Sequence, residues 1–205
     1  MKDIPIIFSA PMVRALLDGR KTMTRRLAWK APREIEGANL RLGHMITGGK
    51  FYAAAPWQRV KPGDRLWVRE GWKPHSLYAG MKPREMPKAN IFYLADDKYS
   101  PSNITGRPSI FMPRWASRLT LVVSAVKIER LQKITNADAI AEGCGVNFDH
   151  DHPERTRESF PAERFRDLWM KLHGPDSWDA NPDIVAINFA VHKINIDALP
   201  KVDAA

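Results

Sequence analysis

The sequence predicts an α+β chain built around a partly closed sheet. Three observations carry this. Several short runs alternate apolar and polar residues, as half-buried strands do. Three stretches place apolar residues at helical spacing. The 12 glycines and 16 prolines fall mainly between these runs, where turns are needed.

Residues 4–8 form a short β-type run. Ser9 stands at the cap position of the next helix, with Pro11 in its first turn, where a missing N–H costs nothing. Met12, Val13, Leu16 and Leu17 make the apolar stripe of that helix, and Gly19 ends it in the left-handed region. Residues 30–62 keep no sustained period and read as loops with one or two short strands. Lys61-Pro62-Gly63-Asp64 is a turn that launches the alternating run Arg65-Leu66-Trp67-Val68-Arg69-Glu70. Its pattern sends Leu66 and Val68 to one side and Arg65, Trp67 and Arg69 to the other. Residues 73–105 read as a surface insertion, with Pro74, Pro83 and Pro87 and a strand over 91–94. A further strand is expected over 109–112.

Residues 118–131 are the clearest strand region. Leu119, Leu121 and Val123 alternate, and Val126 and Ile128 resume the pattern after a bulge at Ser124-Ala125. Thr135-Asn136-Ala137-Asp138 is a capping box with Asp in place of Glu, opening a short helix that Gly143 ends. Phe165, Leu168, Trp169 and Leu172 stripe a helix over 161–173. Residues 184–191 are the last strand, and the tail from 194 to 205 is expected to fray. The organisation expected is one domain over residues 1–193 plus that tail.

Charge is uneven. Residues 1–118 carry 22 Lys+Arg against 9 Asp+Glu, a net +13, and residues 119–205 carry 10 against 14, a net −4. A basic half points to an anionic partner, namely nucleic acid, a nucleotide or phosphate; the alternative is a solubilising surface with no partner. No run of roughly 18 apolar residues is present, so no transmembrane helix and no membrane partner are expected. The opening apolar stretch is too short for a signal peptide. The single cysteine, Cys144, has no internal disulfide partner, which points to the cytoplasm.

The segment Gly19-Arg20-Lys21-Thr22-Met23-Thr24-Arg25-Arg26 concentrates cations just after a helix stop. Together with the later turn and strand it resembles the ASCH family, a branch of the PUA-like β-barrel superfamily, whose signature is G-x-K-x-x-E-x-R. Gly19, Lys21 and Arg26 match, while Thr24 stands where the signature has Glu. The resemblance continues through residues 61–70, Met112-Pro113-Arg114-Trp115-Ala116-Ser117-Arg118, residues 138–143, 165–169 and Trp178-Asp179-Ala180-Asn181-Pro182. This layout is similar to the longer ASCH proteins of phages and prophages, and it implies a PUA-like pseudo-barrel of short mixed strands with flanking helices.

Thr24 also resembles the ASCH branch with G-x-K-x-x-T, which hydrolyses N4-acetylcytidine to cytidine and acetate. The resemblance implies catalytic roles for Lys21, Thr24 and Glu142, with no metal and no cofactor. The chemistry is coherent: amide hydrolysis needs a nucleophile, a group to move its proton and stabilisation of an oxyanion. A Thr hydroxyl needs a base, and a Lys among cations (Arg20, Arg25 and Arg26) has its pKa lowered toward that task. In an extended segment, however, Lys21 and Thr24 face opposite sides, so the chain must turn between them. The alternatives are a phosphate-binding loop for Lys21 and Thr24 and a solvated helix position for Glu142. At the level of function they are an RNA-binding module or a ribonuclease using the same basic residues.

Further substrate-binding candidates, for a cytidine-type nucleoside or RNA, are Arg20, Arg26, Trp67, Arg69, Glu70, Trp72, Arg114 and Trp115. Glu70 either holds a base edge or pairs with Arg69, and pairing is favoured. Trp67, Trp72 and Trp115 lie near cations, which suits base stacking, though core packing claims at least one of them. Asp149-His150-Asp151-His152 has metal-ligand residue types, but no second cluster supports a metal, and a solvated loop is favoured. Cys144 reads as an inert thiol, and Trp169 as core.

Overall fold

The computed structural model describes residues 1–30, 44–47, 50–96, 103–145 and 160–200. The fold is mixed α+β. In chain order the described elements are β1 (Asp3–Ile7), α1 (Ala10–Leu17), β2 (Met23–Leu27), β3 (His44–Thr47), β4 (Lys50–Ala53), β5 (Arg65–Arg69), β6 (Trp72–Pro74), β7 (Ile91–Tyr93), β8 (Thr120–Arg130), α2 (Asn136–Ala141), α3 (Pro161–His173) and β9 (Asp183–His192). The chain divides into two compact units. The first comprises Met1–Thr22, Pro62–Ser124 and Phe189–Ala205, and the second Met23–Lys61 and Ala125–Asn188.

In the first unit β1 runs parallel to β5, setting Ile4 beside Leu66 and Ile6 beside Val68. β5 runs antiparallel to β8, with Leu66 opposite Leu121. Ile6, Leu16, Leu66, Val68, Leu119, Leu121 and Val123 are all buried. The polar side of β5 is covered as well, contrary to simple alternation: Arg65 is 3% and Trp67 6% exposed. Arg65 reaches that depth because Asp3 takes its Nε and Nη2, and the carbonyls of Ile196 and Leu199 take its Nη1. Buried cations need such satisfaction.

Two expectations change here. The segment 194–200 does not hang free: Asn195 donates to the carbonyls of Arg114, Trp115 and Ser117, and Ile196 is fully buried. Residues 109–112, expected as a strand, form a 3₁₀ turn at Ser109–Phe111 between Pro108 and Pro113. The insertion expected over 73–105 shares a small core with the segments flanking it. β6 pairs antiparallel with β7, and Trp72, Met86, Met112 and Ala116 cluster. Arg107 donates to the carbonyls of Tyr78, Ala79 and Met81 while lying over the Trp72 ring. Gly71 fits because a Cβ there would meet Leu94 Cδ1 at 2.9 Å.

In the second unit β2 runs antiparallel to β9, with Thr24 opposite Ile187 and Arg26 opposite Val185, and β3 pairs with β4. Leu131, Ala139, Cys144, Phe165, Trp169, Ile184 and Ala186 form its core. The Thr135–Asp138 capping box is present, and Gly143 ends α2 at φ +93°. α3 has the span its stripe predicts, although Leu172, at its end, is 53% exposed. The alternation of β8 slips at Ser124 and Ala125, both exposed, where the chain passes from the first unit to the second. After the slip Val126 and Glu129 are half-buried, while Ile128 faces solvent.

Candidate functional site

β2 opens with two faces. Side chains alternate along a strand, so Met23 and Arg25 share one face and Thr24 and Arg26 the other. Each pair is bonded: Arg25 Nη1 to Met23 Sδ at 3.1 Å and Arg26 Nη1 to Thr24 Oγ1 at 2.8 Å.

Arg25 is the charged centre of the second unit. Its side chain is 0% exposed. Nη2 meets Asp138 Oδ2 at 2.8 Å and Glu129 Oε1 at 3.1 Å, and Nη1 meets Glu142 Oε1 at 3.4 Å. The guanidinium also lies over the Phe165 ring, 5.7 Å from its centroid. Burial alone would raise the pKa of Asp138. Its bond from the Thr135 backbone and the charges of Arg25 and Lys127 outweigh burial and hold it below the usual carboxylate value. Glu142 is therefore not a solvated helix residue. It is the C-cap of α2, buried, with a guanidinium beside it.

Thr24 is 1% exposed. Its hydroxyl oxygen accepts from Arg26, so its own O–H remains available to donate. A cation against that oxygen stabilises charge developing there. Burial pulls the pKa of Arg26 down, and the Glu142 carboxylate opposes it, so Glu142 acts electrostatically on the cation that holds Thr24. Arg26 also lies over Trp57, 5.8 Å from its centroid. His173, stacked on Trp169 at 4.2 Å, has its pKa lowered by burial and by the charge of Arg26. Sequence reasoning passed over Arg25 as a centre, Glu129, Asp138 as a partner, and His173. The only local signals were the capping box for Asp138 and the β8 slip for Glu129.

Lys21 belongs to the first unit. It is 1% exposed and its Nζ lies 5.6 Å from the centroid of the Phe8 ring. The chain turns before β2: after Gly19, at φ +73°, the N–H groups of Arg20 and Lys21 both donate to the Ala15 carbonyl. Arg20, by contrast, is exposed and pairs with Asp18.

The remaining candidates lie in the first unit, and most are engaged. Glu70, 1% exposed, pairs with Arg118 through two bonds of 2.9 Å, not with Arg69. Burial nevertheless raises the pKa of Glu70 against the pull of Arg118. Arg118 also reaches Asp96 and lies 3.9 Å from the centroid of the Tyr93 ring. Arg69 stacks on Trp67 at 4.5 Å and donates to the Ile110 carbonyl. Trp72 is fully buried and is core, not a stacking platform. Arg114 is held by Asp3 and Asp197, and Asp3 is lowered to about 2, by Arg65 first and Arg114 next. A shallow pocket of about 310 Å³ beside these groups thus presents already paired charges. Trp115 is half-buried at a second pocket.

Among the described residues no group of three His, Cys, Asp or Glu side chains is placed to hold a metal. Asp149, His150, Asp151 and His152 lie outside the described residues. Cys144 is buried. No described helix is long and apolar enough to cross a membrane. No protein-family model, curated protein or solved structure matches the chain.

Proposed function

We propose that the protein is a metal-independent amidohydrolase with a PUA-like, ASCH-type fold. Its reaction removes acyl groups from N4-acylated cytosine nucleosides, with N4-acetylcytidine giving cytidine and acetate. The observation that carries the reading is the buried Thr24 hydroxyl, held by Arg26 at 2.8 Å. A buried hydroxyl held by a half-buried cation serves no packing need and is costly to desolvate; the pair suits a nucleophile whose oxyanion is stabilised in place. Lys21, three residues earlier and equally buried, is assigned the proton transfer, and Glu142 an orienting role. Thr24 Oγ1 attacks the acyl carbonyl while a base takes its proton. The tetrahedral oxyanion forms beside Arg26, and collapse returns the proton to the departing cytosine amine. Water then hydrolyses the acyl-threonine.

The rival readings, an RNA-binding module and a ribonuclease, draw on the basic half of the chain. Against them stand the carboxylates already bonded to Arg25, Arg65, Arg114 and Arg118. The test is incubation of the purified chain with N4-acetylcytidine and chromatographic detection of cytidine, with EDTA present. Turnover persists in EDTA. Thr24→Ala and Lys21→Arg each lower it by roughly 10²-fold or more, because the one loses the nucleophile and the other offers a guanidinium that stays protonated. A folded parent protein that releases no cytidine refutes the proposal.

A further inference from the structure

The first unit contains a pocket of about 420 Å³ whose lining includes Lys88, Asn90, Ile91, Tyr93 and Trp115. That volume lies in the range of small-molecule sites. The aromatic walls are fixed in place. Tyr93 donates its hydroxyl to the Ala116 carbonyl at 2.9 Å and carries the Arg118 guanidinium 3.9 Å from its ring centroid. Trp115 and Tyr93 both pack against the Trp72, Met86, Met112 and Ala116 cluster. Polar groups stand at the same pocket. Among the described residues Lys88 makes no close ion pair, although its charge acts on the Asp197 carboxylate, and neither the Asn90 carboxamide nor the Trp115 indole N–H makes a hydrogen bond. Arg114 and Arg118 are nearby in sequence, but both are bonded to carboxylates.

We propose that this pocket binds a nucleoside 5′-phosphate unit, the base against Trp115 and Tyr93 and the phosphate at Lys88. Two preset rings and Ile91 suit a planar base, since every base offers a π-face. A carboxamide presents a donor and an acceptor side by side, the pattern that a base edge answers. One cation without a close ion pair matches one phosphate and not a triphosphate. The proposal does not depend on the hydrolysis assigned to Thr24 and requires no acyl group.

The test is calorimetric titration of the full chain with CMP, with AMP and with a short oligoribonucleotide, over a series of salt concentrations. Saturable binding is expected. Trp115→Ala weakens it roughly 10- to 100-fold, the loss of one stacking partner. Because Trp115 touches a core cluster, the surface variants Lys88→Glu and Asn90→Ala carry the test independently. Lys88→Glu weakens binding and makes the slope of log affinity against log salt shallower by about one unit. Binding of mononucleotides assigns the site to free nucleotides, and binding of the oligonucleotide alone assigns it to a strand. No saturable binding by the folded parent, or binding that Lys88→Glu and Asn90→Ala both leave intact, overturns the proposal.

Discussion

Arg25→Met is the sharpest test of how the second unit is held together. The substitution keeps an unbranched apolar stem and removes the charge. It leaves three carboxylates, Glu129, Asp138 and Glu142, with side-chain exposures of 13%, 16% and 5%. Removing one member of a buried ion pair costs about 3–5 kcal/mol, because the other member stays buried and uncompensated. With three carboxylates around one guanidinium the upper part of that range is expected at neutral pH. For a urea slope of about 2 kcal/mol per molar, the midpoint then falls by about 2 M. The sign of the pH dependence follows from Asp138. Its folded pKa is depressed, so its contribution is present above its unfolded value of about 4 and is lost as pH falls through the folded one. The gap between parent and variant is therefore full near pH 7 and shrinks below about pH 4 as Asp138 protonates. Urea unfolding followed by tryptophan emission measures it, with Arg20→Ala as the control; that exposed pair with Asp18 is worth less than about 1 kcal/mol. A cost for Arg25→Met below about 1 kcal/mol, or one that does not change with pH, refutes the clamp.

Two further outcomes follow from the first unit. Arg118→Ala leaves Glu70 buried without its guanidinium and costs about 3–5 kcal/mol at neutral pH; because burial already raises the pKa of Glu70, protonation relieves the cost as pH falls, which unfolding curves at two pH values read. Asn195→Ala removes the donor shared by three carbonyls and lowers stability by about 1–3 kcal/mol; faster amide exchange over residues 194–200 than in the parent is the accompanying sign, and unchanged exchange counts against the anchoring.

Elements with a local cause were legible in the sequence. Pro161 and Gly174 bracket α3, Thr135 and Asp138 cap α2, and Gly63 at φ +85° makes the turn before β5. Each depends on residues within a few positions of one another. The charged network was not legible, because its partners are distant in sequence. Arg25 meets carboxylates 104, 113 and 117 residues away, and Arg118 meets Glu70 across 48. Period and capping carry no information about such pairs. Trp72 misled for a related reason: neighbouring cations suggest stacking, yet the cation that covers its ring is Arg107, across the insertion. The tail misled because a short terminal segment is expected to fray, while its anchors are one Asn carboxamide and one Ile side chain, each meeting partners distant in sequence.

The charge asymmetry takes on a different meaning once the pairs are known. The excess of cations before residue 119 suggested a broad anionic partner. Of the carboxylates bonded to Arg25 and Arg114, those of Glu129, Asp138, Glu142 and Asp197 come from the later, acidic part of the chain. Part of the asymmetry is thus internal complementarity: two cations of the earlier part, Arg25 and Arg114, are met by four carboxylates of the later one. Affinity for a phosphate backbone depends on cations free to displace counterions, and a guanidinium already bonded to a carboxylate contributes little to that. Anion recognition then depends on individual positions where a cation has no close ion pair and a ring or amide stands beside it. Lys88 with Asn90 and Trp115 is such a position in the first unit. The Thr24–Arg26 pair in the second is of another kind: its cation is half-buried against a hydroxyl, an arrangement that suits charge appearing during a reaction better than a standing phosphate.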